Sequence, residues 1–540
     1  MTEEKTSERA AHLERDVVVV GAGFAGLYML HKVRQIGLSA ILFEAGPGVG
    51  GTWFWNRYPG ARCDVLSLEY SYSFSDELQQ EWNWTEKFAA QPEILRYLNH
   101  VADRFDLRRD IRLETRVVSA HYDEDGALWS VTTDRGDAVR ARYCIMATGC
   151  LSEAQAPQVP GLESFNGPVY HTGKWPDDPI DFAGKRVGVV GTGSSGIQIV
   201  PMLAQAAGRL YVFQRTPNFS IPARNGPMDS EEQSNWKEVY DDKRRRARDT
   251  SAGILYDYNT TSALGVSQEQ RRRDYEARWR KGGVNFVRTY ADLALDKAAN
   301  DTAADFVREK IREVVRDPRI AQKLSPFDHP IGAKRICIDT NYFDTFNRDN
   351  VTLVDIRAAP IEAITPQGVK TKDGFFELDC LVFATGFDAV TGALNRIDIR
   401  GRSGRSLKEK WAAGPRSYLG LMSAGFPNLF TITGPGSPSI LTNVVVSIEQ
   451  HVEFIAAAIA DLAAKGLTEM EAEAAAEDAW VEHVADVANR TLLVTVNSWY
   501  MGANTPGKPR VILPYAGGFN VYRRQCDEIA ASGYVGFRMT

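Results

Sequence analysis

Two stretches of the chain repeat one pattern of apolar and polar positions. In the first, Val17 to Val20 run without a polar break, glycines follow at Gly21, Gly23 and Gly26, and an amphipathic stretch leads to a second apolar run, Ala40 to Phe43. Unbroken apolar runs of this kind are typical of parallel strands buried on both faces. The second copy opens with Val187 to Val190, turns through Gly191, Gly193 and Gly196, and returns in a strand ending at Gln214. Strand, glycine turn, helix and strand in that order predict an α/β protein with two Rossmann-like folds. From 224 to 331 the sequence becomes charged and helix-forming, with Phe306, Ile311, Val314 and Val315 at helical spacing, which predicts an inserted helical subdomain. A long helix is expected over Val446 to Lys465, and an Ala/Glu-rich helical stretch over Glu471 to Asn489.

The glycine spacing has a chemistry. The first glycine permits the tight turn, the second lets the backbone approach a pyrophosphate, and the third lets helix pack on strand. The helix N-terminus then offers free N–H groups and the positive end of its dipole. The copies differ where the second strand ends. Glu44 follows the first, where a carboxylate accepts hydrogen bonds from a ribose diol. Arg215 and Thr216 follow the second, and an arginine there can clamp a 2′-phosphate that a carboxylate would repel. Arg215 also reads as a solvated strand-end charge. The pair predicts FAD in the first fold and NADPH in the second. Ala147-Thr148-Gly149 and Ala384-Thr385-Gly386 each close an apolar strand and read as crossings between the folds. The expected division is 1–150 and 386–540 for the FAD fold, 151–223 and 332–385 for the NADP fold, and 224–331 for the helices.

Bulk composition narrows the setting. A chain of 540 residues exceeds what one core organises, and 44% hydrophobic with 24% charged residues is ordinary for a globular protein. A net charge of -6 leaves no basic field for nucleic acid or an anionic membrane. The leader MTEEKTSERAAHLERD is charged, and no run of about 18 apolar residues follows, so a cytoplasmic location is expected. The six cysteines form no CxxC pair and no zinc-spaced cluster, so reduced thiols and no metal are expected. Oligomeric state is not legible; a monomer is compatible.

Between the two turns stands Phe165-x-Gly167-x-x-x-His171-Thr172-x-x-Trp175-Pro176. This segment resembles the fingerprint of type I Baeyer-Villiger monooxygenases, and GTWFWNRYPGARCD, VFQRTP, GAKRICI, FATGFDAVTGAL, GPGSPS and NSWYMGANTPGKPR resemble the same family along nearly the whole chain. YPGARCD and GPGSPS look closer to its phenylacetone and steroid monooxygenase branch. The resemblance implies that NADPH reduces FAD and that a flavin peroxide formed with O2 attacks a ketone, giving an ester or lactone. It implies Arg335 as the group facing the peroxide, with Asp64 as its carboxylate partner. Thr52 and Trp53 would join the FAD site. Ser194 and Lys334 would join Arg215 and Thr216 at NADPH, with Lys334 pointing away from Arg335 along a strand. Trp499 would sit on a loop covering the nicotinamide ribose and substrate, and the His171 segment would link the two domains. Heteroatom monooxygenases that oxidise N and S look similar and form the alternative. By residue type alone, Arg335 also reads as a surface charge, Asp64 as a turn residue, His171 as a core histidine, and Trp175 and Trp499 as packing aromatics. Cys150 departs from the branch pattern and carries no assigned role.

Overall fold

The computed structural model describes residues 13–155 and 157–540; most of the charged leader lies outside the described residues. Leu13–Val20 pairs in parallel with Ala40–Phe43 on one side and with Ala138–Met146 on the other. These strands belong to an eight-stranded sheet in the order Asp398–Arg400, Val117–Asp123, Leu128–Thr133, Ala138–Met146, Leu13–Val20, Ala40–Phe43, Ile111–Arg112, with Leu429–Thr431 also on Ala138–Met146. Val17 and Val19 pack into one apolar cluster with the helix Phe24–Gln35, whereas Val18 and Val20 pack into another on the opposite face. Both faces are covered, which is why the run has no polar break.

A second, five-stranded sheet is parallel throughout, in the order Val351–Asp355, Arg209–Gln214, Arg186–Val190, Cys380–Phe383, Val169–His171. Two chain segments connect the sheets and lie side by side. Gly386 C=O accepts from Gln155 N–H at 3.0 Å, Glu153 C=O accepts from Asp388 N–H at 2.9 Å, and Ala154 bridges Phe387. The helices Ser230–Glu238, Tyr240–Arg248, Gln268–Lys281, Lys297–Val314 and Pro318–Leu324 fill the segment between. Tyr275, Phe306 and Val307 from them extend the second sheet's core, and Tyr240 joins the first.

Several elements differ from expectation. Phe306, Ile311 and Val314 lie on one helix, Lys297–Val314, with Val315 as its C-cap, and a separate helix opens at Pro318, which has no N–H to give and fits a first turn, with Asp317 capping it. Met470–Ala472 is a strand paired with Phe537–Met539, so the Ala/Glu-rich helix begins only at Ala474. The long helix starts at Val444, capped by Asn443. Lys334 and Arg335 are not on a strand. The ladder with Ser220–Pro222 begins at Cys337, and both residues lie in the irregular stretch before it. All six cysteines are free thiols. Among the described residues, no helix is long and apolar enough to cross a membrane.

Candidate active site

The first glycine turn is built against the neighbouring crossing. Gly21 has φ +104°, and a Cβ there would stand 2.6 Å from the Ala147 carbonyl oxygen, so only glycine fits. Gly26 packs on Gly21, and Gly23 faces Gly51 at the head of the short helix Thr52–Trp55. Glu44 is 6% exposed. Its Oε2 accepts from Ala22 N–H and its Oε1 from Gly46 N–H, each at 2.8 Å. Burial pushes its pKa up, and those two donors work against the rise. Trp53 is buried, with its indole N–H donating to the Tyr70 hydroxyl at 3.2 Å.

Asp64 and Arg335, far apart in sequence, meet as a bidentate pair. Arg335 Nε donates to Oδ2 at 2.7 Å and Nη2 to Oδ1 at 2.8 Å, while Nη1 donates to the Ile440 carbonyl at 3.0 Å. Their side chains are 29% and 23% exposed. Burial opposes the Arg335 charge, but Asp64 outweighs it and raises the guanidinium's pKa above its ordinary value. Three of the guanidinium's N–H donors are thereby engaged, which leaves a pair of N–H groups for a ligand. Sequence reasoning missed Tyr500, a buried neighbour whose hydroxyl is pushed up to about 12, chiefly by burial and against the lowering effect of Arg335. Its only signal was its place beside Trp499.

The second turn repeats the first, with Gly191 against Ala384 and Gly196 against Gly191. A Cβ at Gly193 would meet nothing within 4 Å, so a ligand phosphate has room to approach the backbone there. Ser194 opens the helix Ser194–Ala206, its Oγ 3.2 Å from Cys337 Sγ. Thr192 Oγ1 donates to the Thr216 carbonyl at 2.8 Å, tying the turn to the end of the returning strand. Arg215 is exposed. Burial lowers the pKa of half-buried Lys334; Asp328 opposes this, while Arg215 and Arg357 add to it. Lys334 thus lies within electrostatic range of Arg215, which Thr216 follows in the chain, and of Arg357.

The linker residues divide. His171 Nδ1 accepts from Gly173 N–H at 3.0 Å, and Nε2 lies 3.2 Å from Thr385 Oγ1, which donates to the Gln155 carbonyl at 3.3 Å. Both crossing segments are therefore joined to His171, whose pKa is lowered by burial and then by Lys174. Thr172 is fully buried, and its Oγ1 has no partner among the described residues. Trp175 packs on Tyr170 and Phe182 in the second core. Phe165 lines a satellite cluster, Gly167 abuts the Asp379 carbonyl, and Pro176 is exposed. Trp499 is half-buried in an apolar cluster with Cys150, Ile440 and Tyr500. Its loop is fastened to the second crossing by Asn504 Nδ2 on the Phe387 carbonyl at 2.8 Å and by Lys508 on Asp388 at 2.7 Å. Burial pushes the Cys150 thiol up to about 11, so it is not a reactive thiolate.

The profile of the pyridine nucleotide-disulphide oxidoreductase family matches residues 18–226. A Baeyer-Villiger monooxygenase from Pseudooceanicola batsensis is 42% identical, covering 96% of this chain and 95% of the relative. The chain belongs to the Baeyer-Villiger monooxygenase family. A solved steroid monooxygenase, oxidised and bound to NADP, is 55% identical, covers 97% of this chain and 99% of that chain, and superposes with a TM-score of 0.94. A phenazine N-monooxygenase from Lysobacter antibioticus is also 42% identical, covering 97% of this chain and 96% of the relative.

Proposed function

We propose that this chain is a cytoplasmic FAD-dependent monooxygenase that consumes NADPH and inserts one atom of O2 beside the carbonyl of a ketone, giving an ester or lactone. The bidentate Arg335–Asp64 pair is the observation that carries this reading. The first turn with Glu44, Thr52 and Trp53 would hold FAD; the second turn with Ser194, Arg215, Thr216, Lys334 and Trp499 would hold NADPH. Residues 1–150 and 386–540 form the FAD domain on this reading, 151–223 and 332–385 the NADP domain, and 224–331 a helical subdomain. When bound, FAD takes reducing equivalents from NADPH and activates O2.

The chain's own contribution is placement and charge. Arginine stays protonated at any working pH, so its free N–H groups offer an unfailing positive site for charge developing on oxygen. Asp64 fixes the plane of that guanidinium before substrate arrives, and the Ile440 carbonyl fixes its third nitrogen. His171, with a depressed pKa, acts by joining the crossings rather than by moving a proton. The N-oxidising relative is the ground for a second reading, oxidation of a heteroatom, nitrogen in that relative; the Baeyer-Villiger and steroid monooxygenase relatives support ketone oxygenation over it. Purified protein with NADPH and O2, offered a panel of ketones, amines and sulfides, separates the two. Ester or lactone is expected; N-oxide or sulfoxide with no ester from any ketone contradicts the proposal.

A further inference from the structure

His451, fully buried on the helix Val444–Lys465, accepts a hydrogen bond from the loop that leads from the first sheet to Ile440. Leu429–Thr431 ends beside Met146, and Val20 ends on the other side of the same residue. Thr433 therefore leaves the sheet at the carboxyl edge where the first glycine turn begins, the edge at which open α/β sheets bind ligands. Thr433 has φ 60°, in the left-handed region that a β-branched residue avoids. Its N–H donates to His451 Nδ1 at 3.0 Å, and its carbonyl accepts from Cys150 Sγ at 3.3 Å.

Because Nδ1 accepts, the ring proton sits on Nε2, which lies 3.0 Å from the Tyr522 hydroxyl; that hydroxyl donates to the Leu419 carbonyl at 2.7 Å. Leu419 is the second left-handed residue of the network, with φ 59° and no exposure. The two loops touch, since a Cβ on Gly434 would stand 2.3 Å from the Gly420 oxygen. His451 is fully buried on the helix Val444–Lys465, and burial pushes its pKa down to about 3, which keeps the ring neutral.

We propose that His451, with Tyr522, is a positioning residue: it holds Thr433 and Leu419 in left-handed geometry and so sets the course of the loop from Thr433 to Ile440, whose carbonyl steadies Arg335. The functional consequence rests on the ketone-oxygenation reading above; the structural consequence does not. Three variants test it: His451→Phe removes both contacts, His451→Asn can still accept from Thr433 N–H, and Tyr522→Phe removes only the hydroxyl. Each is purified with FAD and compared with wild type for amide hydrogen exchange over 432–436 and for ester formed per NADPH consumed. In His451→Phe, exchange should quicken and ester per NADPH should fall about fivefold, the worth of one buried hydrogen bond, with hydrogen peroxide making up the difference. His451→Asn should recover part of both, and Tyr522→Phe should quicken exchange at 419–422 as well. Unchanged exchange at 432–436 in His451→Phe overturns the positioning role. Quickened exchange with wild-type ester per NADPH overturns its link to Arg335. A wild-type protein that forms no ester overturns the ketone reading and leaves the exchange result to decide the positioning role.

Discussion

Arg335 and Arg215 carry the same charge and are held in opposite ways. Arg335 has a carboxylate clasping two of its nitrogens and a carbonyl on the third. Arg215 is exposed at the end of its strand, with another cation, Lys334, in electrostatic range. An arginine that meets its partner inside the chain is oriented before any ligand comes, and little freedom remains to be lost when charge develops beside it. One placed next to other cations gains its counter-charge only when an anion arrives, which suits recognition of a phosphate. The same side chain thus serves orientation in one place and selection in the other.

Breaking the held side has the largest effect. Arg335→Ala should retain FAD yet lower the rate of ester formation about 100- to 1000-fold, as loss of a donor aimed at developing negative charge does; product quantification checks this. Arg335→Lys keeps a charge without the fork and should restore only part of the rate. Breaking the open side acts on one cofactor. Arg215→Ala should raise the KM for NADPH about 10- to 100-fold, the worth of hydrogen bonds to a charged group, and leave NADH within about twofold. Steady-state kinetics with both cofactors checks it, and equal losses would remove the distinction between the arginines. The smallest effect falls between the two sites. His171→Ala should slow turnover about fivefold by loosening the crossings, with FAD content and melting temperature near wild type.

How far the sequence reached depended on how local each feature was. Both glycine turns were legible because their requirements lie within one strand-turn-helix unit, and Gly21 and Gly191 indeed press on the crossing carbonyls. Glu44 was legible as a strand-end acid, but not its grip on Ala22 and Gly46, which needs the turn in three dimensions. Pairing Asp64 with Arg335 required family resemblance, since no periodicity links residues 271 positions apart. The resemblance put Arg335 on a strand, whereas the ladder with Ser220–Pro222 begins only at Cys337, two residues further on. His451 went unread because it lies on the buried face of a long helix with Ile448, Val452 and Ile455, where nothing local marks it as a hydrogen-bonding residue. Its hydrogen-bond partners come from a distant loop and a distant helix.

The contrast between the two arginines rests on Asp64, and replacing it tests the contrast most directly. Asp64→Asn keeps the shape but removes the charge and turns one acceptor into a donor facing Arg335. The measurement is ester formed per NADPH consumed, taken alongside anaerobic bleaching of the bound FAD by NADPH. If orientation of Arg335 governs oxygen insertion, bleaching should persist while ester per NADPH falls about tenfold, the worth of a charge-assisted hydrogen bond. Wild-type ester per NADPH in Asp64→Asn would show that the arginine works without its clasp and would contradict the account.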